Sequence, residues 1–234
     1  MSDTGNGFWE AWRLILSLDP DLYEIVFLSL QVTVSAVIIA SVIGLPMGAW
    51  LAVNRFRFRR YVIAVLNALM GLPPVVVGLF VYMMLSRAGP LGGFGLLFSP
   101  SAMIIAQVII ITPLIASISH QTIRDLWAEY HDLLISMNAT RAQRMKALLW
   151  DGKRALLTAT LAGFGRAIGE VGAIMIVGGN IEHITRVLTT AIALETGKGN
   201  FAFAMGLGLI LITLAVIVNL LIHIIGKTER ASTW

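Results

Sequence analysis

Polar and apolar positions along this chain are segregated into long blocks and do not alternate within short ones. Residues 25–54, 61–86 and 88–123 contain no Asp, Glu, Lys or Arg. The third block is divided by the turn-rich GPLGGFGLLFSP at 89–100, leaving 101–120 as its spanning part. A fourth apolar stretch, 155–181, holds only Arg166 and Glu170, and a fifth, 199–226, is free of charge. About 20 apolar residues of helix suffice to cross the hydrocarbon core of a bilayer. The pattern therefore predicts an all-α polytopic membrane protein with five transmembrane helices.

Composition agrees with this reading. The chain is 57% hydrophobic and 13% charged, where a soluble domain carries about 25% charged residues. Its net charge of +4 is no nucleic-acid patch, because the basic residues lie between apolar spans. Their distribution instead sets an orientation. Arg55, Arg57, Arg59, Arg60, Arg124, Arg141, Arg144, Lys146, Lys153, Arg154, Lys227 and Arg230 fall on one side of the expected spans, and only Arg13, Arg87, Arg186 and Lys198 on the other. The expected topology is N-out and C-in, with residues 1–24 outside, a five-helix transmembrane domain over 25–226, and a cytoplasmic tail at 227–234.

The opening MSDTGNGFWEAW has no basic stretch before a short apolar run, so no cleaved signal peptide is expected. Residues 8–18 read as an interfacial amphipathic helix on the outer face or as an aromatic anchor for the first span. The absence of cysteine removes disulfides, thiol catalysis and Cys-based metal sites from consideration.

One segment breaks the greasy pattern. Residues 124–154, RDLWAEYHDLLISMNATRAQRMKALLWDGKR, form a long polar loop on the predicted cytoplasmic side. Leu133, Leu134 and Met137, then Ala142, Met145, Leu148 and Leu149, recur at helical spacing. Asn138 interrupts them, and Asn tolerates a left-handed turn. Two short amphipathic helices joined at Asn138-Ala139-Thr140, with Thr140 capping the second, are expected to present a compact knob.

This loop resembles the EAA loop of ABC-importer permeases. Asp132-Leu133-Leu134 stands where that family has Glu-Ala-Ala, and Asn138 stands where it has Gly, followed by Ala139 and Thr140. GLPPVVVGLFVYMML at 71–85, RAGPLG at 87–92, LLFSPSAMIIAQ at 96–107 and GRAIGEVGAIMIVGGN at 165–180 are similar to oxyanion permeases, closest to the tungstate/molybdate branch. Sulfate permeases share the Pro-Pro and Gly-Glu-x-Gly features.

The resemblance implies a type I ABC-importer permease fold and a cytoplasmic coupling helix. Asp132, Leu133, Leu134, Asn138, Ala139 and Thr140 are its expected ATPase-coupling residues. It further implies a second copy of the permease, two cytoplasmic ATPases and an extracytoplasmic oxyanion-binding protein. The implied setting is a bacterial or archaeal cytoplasmic membrane and its lipid, without nucleic acid. ATP and Mg would belong to the ATPase, with no cofactor on this chain.

Several residues inside the spans bear on transport. Arg166 and Glu170, four apart, are expected mid-helix on one face; they read either as a self-satisfying ion pair or as a gate near a dimer axis, since charge at bilayer depth faces protein or water. Pro73-Pro74 and Thr112-Pro113 remove backbone donors within spans and read as kinks or as openings of a polar route. Gly165, Gly169 and Gly172 are expected to share one helix and permit close packing, within one bundle or between subunits. Gly44, Gly48, Ala204 and Gly208 allow similar approaches.

Other chemistry is poorly represented. Gly226-Lys227-Thr228 lacks the earlier Gly of a P-loop, Leu221 standing at that position, so ATP hydrolysis is assigned to a partner and the chain is not itself an enzyme. His120, His131, His183 and His223 have no ligand spacing, and no metal site is expected. The alternatives are a sulfate-type oxyanion permease, a polytopic membrane enzyme using Glu170 and a histidine, and a channel.

Overall fold

The computed structural model describes residues 13, 16, 17 and 19–230. Most of the expected interfacial helix at 8–18, and the end of the tail at 231–234, lie outside the described residues. Among the described residues the regular structure is helical: α1 Pro20–Val53, α2 Arg59–Met70, α3 Pro74–Leu85, α4 Pro100–Ser136, α5 Arg141–Asp151, α6 Lys153–Ile168, α7 Gly172–Gly178, α8 Leu188–Lys198 and α9 Phe201–Arg230, with a 3₁₀ turn at Gly92–Phe94.

Three of these helices, α1, α4 and the 201–224 part of α9, are long and apolar enough to cross a membrane. The pairs α2 with α3 and α6 with α7 each pass the same test together but are broken, giving up to five spans. The third span is longer than expected. Helix continues from 100 to 136 without a stop at 120, because 121–136 contains neither Gly nor Pro. The first half of the anticipated knob is thus the polar end of α4, not a separate helix.

Residue contacts divide the chain into two units. The first comprises the described residues up to 36, with 73–107 and 166–217. Its core gathers Leu22 and Ile25 of α1, Leu188 and Ala191 of α8, and Leu207 of α9. Asp19 Oδ1 starts α1 by accepting from the Asp21 and Leu22 amides at 3.1 and 3.2 Å, with Pro20 at the first helical position, where no amide hydrogen is needed. Helices α3 and α7 pack backbone to backbone: a Cβ on Gly78 would lie 2.7 Å from Ala173 Cα.

The second unit comprises residues 37–72 and 108–165 and the described residues from 218 onward. Ala49, Ala52, Ile123, Leu148 and Leu156 form one of its cores, and Leu51, Leu66 and Ala116 another. Gly44 and Gly48 bring α1 against α4. A Cβ on Gly48 would strike Ala116 O and lie 2.7 Å from both His120 N and Ser119 Cβ. Ser119 Oγ donates to Leu45 O at 2.9 Å in the same seam, and Ser117 Oγ donates to Asn67 Oδ1 of α2 at 2.8 Å. Arg59 Nε donates to Leu51 O at 2.7 Å, and its Nη2 lies 3.3 Å from His120 Nε2.

The seam gives a direct prediction. Gly48→Val forces backbone apart where no flexible neighbour is available to yield, an overpacking cost of about 1–3 kcal/mol. Gly208→Ala, with nothing within 4 Å of the added Cβ, should be neutral or slightly stabilising. Thermal unfolding of the two purified variants checks both expectations.

Candidate functional site

The interruption between α6 and α7 is built around one carboxylate. Arg166 lies in the last turn of α6, while Glu170 falls after that helix has ended. Arg166 Nη1 donates to Glu170 Oε2 at 2.7 Å; the Glu170 side chain is 5% exposed and that of Arg166 39%. Glu170 Oε1 accepts from the Ala173 amide at 3.3 Å, and Glu170 O accepts from Thr189 Oγ1 of α8 at 2.8 Å. The pair therefore spans a break and does not lie mid-helix as expected. In an unbroken helix the Ala173 amide would bond Gly169 O; here it bonds the carboxylate, beside a glycine that has little helical preference.

A second break, at 71–73, belongs to the same unit from Pro73 onward. Pro73 is extended (φ −63°, ψ 122°) and Pro74 opens α3, so these prolines start a helix where the sequence placed them inside one. The helices that follow the two breaks meet at their first turns: a Cβ on Gly172 would lie 2.6 Å from Val75 Cγ2, 3.7 Å from Val75 N and 3.7 Å from Glu170 Oε1. Gly165, Gly169 and Gly172 consequently do not form one helical stripe. Gly165 is in α6, where an added Cβ would meet Val218 Cγ1 at 4.0 Å. Gly169 is exposed in the break, and Gly172 begins α7.

Thr112 and Pro113 lie in the other unit. Helix α4 runs through them, and Thr112 Oγ1 donates to Val108 O at 2.6 Å. That hydroxyl gives its proton to its own helix.

Sequence reasoning gave no role to three polar groups that complete the first site. Gln107, 1% exposed, donates through Nε2 to Ala167 O at 3.1 Å, satisfying a carbonyl at the end of α6. Ser29 Oγ accepts from the Leu188 amide at 2.7 Å, where α8 begins. Thr189, with Ser29, Thr33 and Gln107, lines a small pocket. The available signal was a lone Gln in the apolar run 101–119.

The same unit carries a larger pocket of about 350 Å³ lined by Asp19, Asp21, Glu24, Glu182, Glu195, His183, Arg186 and Lys198, among others. Its three basic side chains are each paired with an acid: His183 Nδ1 with Glu24 at 2.8 Å, Arg186 with Glu182 at 2.6 Å and Lys198 with Glu195 at 2.8 Å. The Glu24 carboxylate, by its hydrogen bond and its charge, raises the His183 pKa. Acids outnumber bases here, a poor arrangement for trapping an anion.

In the second unit, α4 and α5 form a hairpin. The Ala139 amide donates to Leu134 O at 3.2 Å and the Asn138 amide to Ile135 O at 2.8 Å, with Asn138 left-handed at φ 51°. This is a Schellman ending, usually closed by glycine. Thr140 then caps α5 through a reciprocal box with Gln143: the Gln143 amide donates to Thr140 Oγ1 at 3.4 Å, and the Thr140 amide to Gln143 Oε1 at 2.8 Å. Arg144 ties the turn down, donating from Nε to Ala139 O at 2.8 Å with its guanidinium 5.8 Å from the Trp127 ring centroid.

Of the expected coupling residues, Asp132, Leu133, Asn138 and Thr140 are exposed, while Leu134 and Ala139 are half-buried. Leu133, Met137 and Trp150 stand 56%, 68% and 72% exposed at the hairpin.

Comparison with known proteins supplies the family. Residues 44–230 match the family described as the binding-protein-dependent transport system inner membrane component. The chain is 38% identical over 223 residues to the tungstate uptake system permease protein TupB of Peptoclostridium acidaminophilum, covering 95% of this chain and 98% of the relative. It is 39% identical over 205 residues to a probable anion ABC transporter permease protein of Haloferax volcanii, covering 86% and 88%. A TupB from Campylobacter jejuni is 33% identical over 223 residues, covering 95% and 93%. This chain belongs to the family of inner membrane components of binding-protein-dependent transport systems.

Proposed function

We propose that the chain is the membrane permease of an ATP-driven importer that moves tungstate, with molybdate its nearest competitor, by alternating access. The observation that carries this reading is the end-to-end similarity to a tungstate uptake permease, 38% over 223 residues. In the proposed topology the two broken pairs each count as one span, giving five. The N-terminus is outside, and the α4–α5 hairpin faces the cytoplasm with the Arg-rich connections. Two copies enclose one route, two ATPases dock on the hairpins, and a binding protein delivers the anion outside. ATP and Mg act on the ATPases.

The hairpin suits docking because its turn is rigid while its apolar side chains are exposed. Leu133, Met137 and Trp150 offer a surface that water solvates poorly, and Asp132, Asn138 and Thr140 surround the turn. ATPase closure would move the two hairpins together and swing the attached spans.

Away from the hairpin, Glu170 acts as a latch between α6 and α7, not as a substrate ligand. A carboxylate repels an oxyanion, and both of its oxygens are already occupied by Arg166 and Ala173. Low positive charge in the spans fits a conduit from which the anion is released readily.

Three outcomes are expected. In the reconstituted complex, ATPase stimulation should require far less tungstate-loaded than sulfate-loaded binding protein; equal responses would remove the substrate assignment. Asn138→Gly should keep ATPase docking, whereas Asn138→Val, strained by about 1–2 kcal/mol in the left-handed region, should weaken docking roughly five- to thirtyfold, measured by co-purification and by ATPase stimulation. Glu170→Gln should retain assembly but lose most uptake, read as tungstate accumulation per mole of complex. Unchanged uptake would show that the latch plays no part in transport.

A further inference from the structure

In the second unit an apolar groove of about 560 Å³ is lined by Tyr61, Val62, Val65 and Leu69 on α2, Met47 on α1, and Ile109, Thr112 and Pro113 on α4. Exposed apolar side chains are ordinary on a protein that bilayer solvates. This patch differs in following directly on an arginine- and aromatic-rich segment of the chain, residues 55–60. From Tyr61 to Leu69 the helix rises about 12 Å, close to the half-thickness of a hydrocarbon core of about 30 Å. The groove therefore has the length of an acyl chain in one leaflet and not of a full span.

The Tyr61 end is marked as a headgroup boundary. Phe58 and Tyr61 are 62% and 68% exposed, with ring centroids 6.5 Å apart, and Trp50 lies against Phe56 with ring centroids 5.1 Å apart. Aromatic residues gather where hydrocarbon gives way to water. Four arginines lie in the same short segment, residues 55–60. Arg59 is committed inside the protein to Leu51 O and His120. Arg55, Arg57 and Arg60 are exposed.

We infer that this groove is a binding site for one anionic phospholipid. One acyl chain lies along Val62, Val65 and Leu69, and the headgroup phosphate meets Arg57 and Arg60 beside Tyr61. Charge complementarity selects the occupant: basic clusters at the end of an apolar groove between membrane helices hold anionic headgroups, whereas a second protein chain would have to bring its own acids to the same depth.

The test uses the full-length chain taken from liposomes of equal palmitoyl-oleoyl phosphatidylglycerol and phosphatidylcholine, with retained lipid counted by native mass spectrometry. Phosphatidylglycerol should be retained preferentially. Replacing Arg57 and Arg60 by Gln should reduce that preference by about fivefold for each arginine removed. Val65→Trp, which fills the groove, should reduce retained phosphatidylglycerol while the arginines remain.

Equal retention of the two lipids by the native chain would overturn the inference, as would an undiminished preference after both arginine substitutions. The chain has no cysteine, so Val65→Cys provides a unique thiol. Efficient disulfide joining of two copies through that thiol in a bilayer would assign the groove to a second chain and also overturn the lipid site.

Discussion

A helix interrupted within a bilayer exposes backbone groups that no water can satisfy, and the Glu170 carboxylate is what makes the interruption after α6 tolerable. It takes the Ala173 amide that Gly169 O would have held, and it neutralises Arg166. Gln107 completes the repair from α4 by donating to Ala167 O, and Thr189 completes it from α8 by donating to Glu170 O. Four elements are thereby fixed to one short gap. The buried charge is accommodated because each of its oxygens has a defined donor, the condition under which a buried ion pair is tolerated.

The gap also explains the glycines. Gly172 lets α7 begin against Val75, and Gly78 lets α3 lie on Ala173. Membrane helices gain little from hydrophobic exclusion, so their association rests on close contact between small residues and on hydrogen bonds. In the second unit the same logic holds at Gly48, where the Ser119 hydroxyl bonds Leu45 O. The hairpin follows soluble rules instead. Its turn is fixed by a Schellman ending and a capping box, and its inner face packs Leu148 under Trp127 and Met145.

Much of this was legible in the order of residues. Charge-free blocks located the membrane helices, since hydrocarbon excludes charge over a length that sequence displays directly. Asn138 and Thr140 declared the turn and cap of the hairpin because both signals act within a few residues. The polar half of α4 was less visible: residues 121–136 look like the start of a loop when judged by charge, although nothing there stops a helix. Pro73-Pro74 and Gly169 were read as features within spans because a helix break and a helix kink share the same residues; which occurs depends on whether neighbours satisfy the freed backbone.

What sequence by itself determined is therefore the class of solvent, the approximate number of crossings, the distribution of positive charge and the local chemistry of the hairpin. Each follows from composition or from contacts a few residues apart. Tertiary structure alone decided that Glu170 repairs a break, that Gln107 and Thr189 serve it, that α3 and α7 meet at Val75 and Gly172, and that Thr112 gives its hydroxyl proton to its own helix. Most of those outcomes join residues distant along the chain, and a buried polar group's role is set by which partner reaches it, a matter no local pattern records.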